Sequence, residues 1–192
     1  MFFSLSALLA SKKYLILGII FEFIIFGSVY LLTYDMGETF RLAARYSGRL
    51  SLLVFLLPFA FYLQNQLGEN DQRSLFAGLR VFAILHAIHF GFLTANVVWN
   101  AIPLVPVKLT GGALAYLMIL CLPFFESKIK AYKWLLSLYF FYVGVVMSVT
   151  YLSRIKGDFE GSESSPIHYL ALGVLGLFLL VFLRQLVNRI RS

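Results

Sequence analysis

His86 and His89 stand three residues apart in the apolar run from Asp71 to Val98, which is long enough to cross a bilayer. Ionisable side chains at that depth usually mark a function. A spacing of three turns both imidazoles to one side of a helix. On one side they can share a small metal ion, with His86 as the first ligand, but they cannot supply both axial nitrogens of a six-coordinate haem, which lie on opposite faces of the porphyrin. Glu22 falls about nine residues into its own apolar run and His86 about ten into its run, so straight helices rising 1.5 Å per residue bring the two to nearly the same depth. A carboxylate accepting the ring N–H of His86 would fix its tautomer and raise its basicity, as beside metal-bound imidazoles. The same pair can equally serve only to join two helices. Glu22 is the only further ligand at matching depth, which is short of a complete transition-metal set. His168 opens the last apolar run at the opposite interface.

The elements that must position these groups follow from composition. Hydrophobic residues make up 60% of the 192 positions and charged residues 13%, and the apolar residues gather in blocks rather than along one helical face. The chain reads as an all-α integral membrane protein with six transmembrane helices in one domain, at roughly 14–33, 50–66, 76–98, 109–125, 134–152 and 167–186. Pro58 and Pro123 fall inside the two shortest segments, where they disturb helix ends. A cytoplasmic amino terminus puts Lys12, Lys13, Arg73, Arg80, Lys128, Lys130, Lys133, Arg184, Arg189 and Arg191 inside, against Arg41, Arg45, Arg49, Lys108, Arg154 and Lys156 outside. The positive-inside bias therefore predicts both termini in the cytoplasm. The net charge of +7 is explained by this loop distribution, and no basic run interleaved with aromatics points to nucleic acid.

The soluble parts are small. Tyr34 to Arg49 is expected as an outer loop in which GETFRLAARYSGR forms a short interfacial helix near Asp35 or Glu38, and Gly157 to Pro166 as a solvated link. Met1 to Ala10 is apolar, but its lysines follow the apolar stretch, the reverse of a cleaved signal peptide; it is expected along the interface or as an extension of the first helix. Trp99 and Trp134 sit at segment ends, where indoles anchor to headgroups. One cysteine, Cys121, excludes an intrachain disulfide and a paired-cysteine metal site. The chain has no room for a soluble catalytic or flavin domain and no glycine-rich dinucleotide turn.

Four stretches carry a resemblance: Ser47 to Tyr62 (SGRLSLLVFLLPFAFY), Arg73 to His86 (RSLFAGLRVFAILH), Gly112 to Ser127 (GALAYLMILCLPFFES) and Lys133 to Gly144 (KWLLSLYFFYVG). In their order and spacing they resemble the ferric-reductase-like transmembrane family, in particular its haem-bearing membrane subunits from the bacterial methionine sulfoxide reductase system. The resemblance implies a six-helix redox scaffold, haem b, and His86 in the place of the third-helix ligand. The family's fifth helix supplies two histidines about 13 apart; the aligned positions here hold Leu136 and Val149, and Met147 is the one conceivable thioether substitute.

Two functional readings follow from the resemblance and its departure. In one, a b-type haem subunit transfers electrons across the bilayer beside a redox partner, with His86 as axial ligand, Glu22 or His89 tuning it and Arg80 facing a propionate. In the other, the chain is a haem-free scaffold or binding subunit, partnered by the lipid bilayer and a structural protein, whose Glu22, His86, His89 and Arg80 form a buried polar network. Both place it in a plasma or inner membrane.

Overall fold

The computed structural model describes residues 12–64, 69–103, 106–126, 133–158 and 164–191, all of them helical or in short connections. The helices are α1 (Lys12–Thr33), α2 (Met36–Gln64), α3 (Glu69–Trp99), α4 (Pro106–Cys121), α5 (Lys133–Lys156) and α6 (Pro166–Arg191), with a 3₁₀ turn, Leu122–Phe124, closing α4. Five are long and apolar enough to cross a membrane, which marks an integral membrane protein. The sixth, α4, is 16 residues long. It stops at Cys121 because Pro123, which has no N–H to donate, falls in the following turn. Met1 to Ala10 and residues 159–163 of the link after α5 lie outside the described residues.

The largest departure from expectation is at α2. No outer loop or separate interfacial helix separates α1 from the second crossing; only Tyr34 and Asp35 do, and GETFRLAARYSGR is the first half of a 29-residue helix. Local chemistry drives this. The Asp35 Oδ1 caps α2 by accepting the Glu38 N–H at 2.7 Å, and Tyr34 makes the reversal with φ of 52°. Thr39 donates to the Asp35 carbonyl at 2.6 Å and shares a 2.8 Å bond with Thr33 across the turn. Hydropathy averages the polar residues of this half-helix into a loop, whereas Thr39 and Ser47 are fully buried between helices.

Pairwise contacts fix how the rods align. Ser51 meets His86, Gly48 meets His89 and Gly37 meets Asn100, so α2 and α3 run antiparallel along their length with one constant offset. Tyr62 bonds Ser137 at 2.8 Å and Phe59 stacks on Phe140 at 4.9 Å, which sets α5 antiparallel to α2 as well. Gln185 of α6 donates to the Leu63 carbonyl at 2.8 Å and Phe178 lies against Phe59, so α6 runs parallel to α2. The start of α1 and the end of α6 therefore lie at one end of the bundle, with the end of α2 and the start of α5. The end of α3 lies at the other end, and α4 makes the return.

The apolar core occupies the α2, α3, α5 and α6 interface towards the Gln64 end. Phe55, Phe59, Tyr62, Phe140, Phe178 and Phe182 form a continuous aromatic cluster, with Tyr62 stacked on Phe140 at 4.7 Å. In hydrocarbon, helices associate through such packing rather than through water exclusion. Each aromatic pair adds about 0.5–1.5 kcal/mol beyond its buried area. Pro58 sits buried inside α2 without ending it. Asp35→Ala is expected to lower stability by about 1 kcal/mol through loss of the cap, and Asp35→Asn by much less, read by thermal unfolding of the detergent-purified chain.

Candidate functional site

The polar interior is built by α2, on whose face Ser47 and Ser51 stand four residues apart. Ser47 Oγ donates to Glu22 Oε1 at 2.8 Å, tying α1 to α2. Ser51 Oγ lies 2.5 Å from His86 Nδ1, tying α2 to α3. All four residues are buried, Glu22 to 2% exposure and His86 to 7%. The anticipated meeting of Glu22 with His86 is replaced by two serine contacts, one for each. The reason is register: the α2–α3 offset sets Ser47, and with it Glu22, level with Phe90, four residues and about 6 Å beyond His86. Counting depth from segment starts missed this because α3 begins at Glu69, before its apolar stretch.

Glu22 is thus nearer in level to His89 than to His86. The His89 ring lies 5.3 Å from that of His86 and reaches over Gly48, whose missing side chain makes room: a Cβ there would stand 3.1 Å from His89 Cε1. Glu22 Oε2 and His89 Nδ1 are both buried without a hydrogen-bond partner. Around His86 the space is filled by Tyr116, stacked at 4.7 Å, by Phe82 at 5.1 Å, and by Ser51. Arg80, expected in the same group, is engaged elsewhere. Its Nη2 bonds Glu126 at 2.6 Å and its Nε donates to the Pro123 carbonyl at 3.2 Å, clamping the end of α4 to α3. His168 is 2% exposed, its ring 6.0 Å from that of Tyr151, and it receives the Ser165 N–H at 3.3 Å.

The fit of these residues to a metal or a haem can be tested directly. Among the described residues no three of His, Cys, Asp and Glu gather as a metal-ligand group, so His86 and His89 remain a pair. A void of about 10 Å³, room for one water, lies away from the histidines, among Tyr62, Ser137, Phe182 and Gln185. Leu136 is buried in the apolar core, Val149 is 55% exposed on the outer surface of α5, and Met147 packs against the core. The positions aligned with the family's fifth-helix histidines therefore carry no haem ligand.

Sequence reasoning missed Ser47, Ser51, Gly48 and Tyr116. Ser47 and Ser51 were detectable as hydroxyls at helical spacing, but placing the start of the second segment at 50 put one of them in a loop. Ser47→Ala strands a buried carboxyl oxygen and is expected to cost about 1–3 kcal/mol in detergent unfolding, more than Ser137→Ala, whose partner Tyr62 is less strongly polar. Gly48→Leu should be worse than Gly48→Ala, since the second only displaces the His89 ring by a few tenths of an ångström. No protein-family model matches the chain, and neither a curated protein nor a solved structure matches it.

Proposed function

We propose that this chain is a haem-free membrane scaffold or binding subunit of the ferric-reductase-like lineage, with six crossings and both termini in the cytoplasm of a plasma or inner membrane. The observation that carries the reading is the commitment of its interior polar groups to one another across helices: Glu22 to Ser47 and His86 to Ser51, with Arg80 held by Glu126. Here they knit α1, α2, α3 and α4 together. The return path of α4 between opposite ends supports six crossings, and the placement of both described chain ends at one end agrees with the charge bias.

The role that suits such a bundle is to hold a partner protein or a small polar ligand in the bilayer, with Glu22 Oε2 and His89 Nδ1 among the interior atoms still able to accept or donate. The test is the absorption spectrum of detergent-purified protein from cells supplied with haem precursor, before and after dithionite. A featureless spectrum at full haem supply is expected. A Soret band with a reduced α band, both lost in His86→Ala, would overturn the haem-free reading and restore the electron-transfer one.

A further inference from the structure

Two contacts fix how α1 lies along α3. Leu85 packs on Gly18, in the space a side chain there would need, and Phe26 stacks on Phe92 with ring centroids 5.7 Å apart. The two pairs have nearly the same offset along the chain, so α1 and α3 run parallel and in step. Gly18, Glu22 and Phe26 share one face of α1, and Leu85, His89 and Phe92 share one face of α3. Glu22, between the two contacts on α1, therefore comes opposite His89, between the same two contacts on α3.

The third helix places them independently. Ser47 of α2 donates to Glu22 Oε1, and the next residue, Gly48, makes room for the His89 ring, so an acid and a base from two helices meet adjacent residues of one. Both are buried, and Glu22 Oε2 and His89 Nδ1 have no hydrogen-bond partner. Hydrocarbon around the bundle offers none. The other titratable groups about the pair are Tyr14, two turns before Glu22 on α1, His86 on α3 and Tyr116 of α4, stacked on His86. Arg154 of α5 acts on His89 through its charge, and Arg45 and Arg49 of α2 act on Arg154 in turn.

We propose that Glu22 and His89 form a proton-binding site inside the bilayer, holding one exchangeable proton between Glu22 Oε2 and His89 Nδ1. The proton is bonded either to Oε2, as a carboxylic acid beside a neutral imidazole, or to Nδ1, as a carboxylate beside an imidazolium. Moving it breaks one O–H bond, forms one N–H bond and leaves the net charge unchanged, with one bridging water closing the gap between the two atoms. A lone charge is costly in hydrocarbon, whereas an acid and a base sharing one proton are neutral as a pair in either arrangement. Ser47 keeps its bond to Oε1 throughout and holds the carboxyl in place. This deepens the reading of these two atoms as still able to accept or donate, on which it rests.

The test is infrared difference spectroscopy of the full chain in phosphatidylcholine vesicles, stepped from acid to alkaline pH. A carboxylic acid C=O band that disappears as pH rises is expected, absent in Glu22→Gln and unchanged in Glu38→Gln. In His89→Gln the band stays but its midpoint moves by about one pH unit or more, and in His86→Gln, where the lost ring is the one held by Ser51, by less. Should Glu22→Gln fail to fold, Glu22→Asp identifies the band by shifting its frequency, and His89→Gln still decides. No titrating band belonging to Glu22, equal midpoints in wild type and His89→Gln, or a larger move in His86→Gln overturns the proposal. Failure here beside a featureless visible spectrum removes the shared proton alone, whereas a Soret band removes the haem-free reading.

Discussion

Inside hydrocarbon there is no water to bond a carboxyl or an imidazole, and every such group must find its partner in the protein. That constraint organises this bundle. Glu22 and His86 come from α1 and α3, and both are met by hydroxyls of α2. Because two serines four apart on one helix serve partners on two others, the hydrogen bonds fix the sliding position of all three helices at once. A shift of one residue along α2 would turn both hydroxyls away and leave buried polar groups unpartnered. In a membrane, where apolar surfaces slide past one another with little change in solvation, such specific bonds decide register more than hydrophobicity does.

The long α2 carries three successive environments, and each recruits a different neighbour. Its Gln64 end is aromatic and packs Phe59 and Tyr62 on α5 and α6. Its middle is hydroxylic and small, with Gly48 admitting His89 where any side chain would crowd the ring. Its Asp35 end is cationic and capped, joined to α1 by a turn of two residues. The aromatic end supplies dispersion, the middle supplies register and the cationic end supplies charge. Separating them along one rod keeps the arginines of α2 clear of the aromatic core.

The histidine pair illustrates how neighbours decide chemistry. Three apart on a helix, His86 and His89 share a side, and the structure keeps them together, 5.3 Å between ring centres. Their surroundings differ all the same. His86 is fixed through Nδ1 by Ser51 and stacked on Tyr116, whereas His89 keeps Nδ1 buried and unbonded beside Gly48. Arg80, two turns before His86, belongs to a clamp with Glu126 and Pro123 that ends α4 rather than to the histidines. What resembles one ligand cluster in the chain is therefore two structural devices and one incompletely satisfied ring.

The sequence by itself determined the all-helical membrane class of the molecule and the burial of Glu22, His86 and His89. Those properties are local: apolar block length sets a crossing, and Glu22, His86 and His89 lie within such blocks wherever their boundaries are drawn. It did not determine the partners. Hydropathy averages over a window and is blind to azimuth, so the half-helix with Thr39 and Ser47 read as a loop although both are wholly buried. Equal depth on paper suggested Glu22 beside His86, whereas the offset between α2 and α3 displaces them by about a turn and interposes Ser47 and Ser51. The meeting of Tyr62 with Ser137 and of Phe59 with Phe140, distant in the chain, was likewise decided only by how α5 sits against α2. Register between helices is the sum of many small contacts along their whole length, and no single segment of sequence contains it.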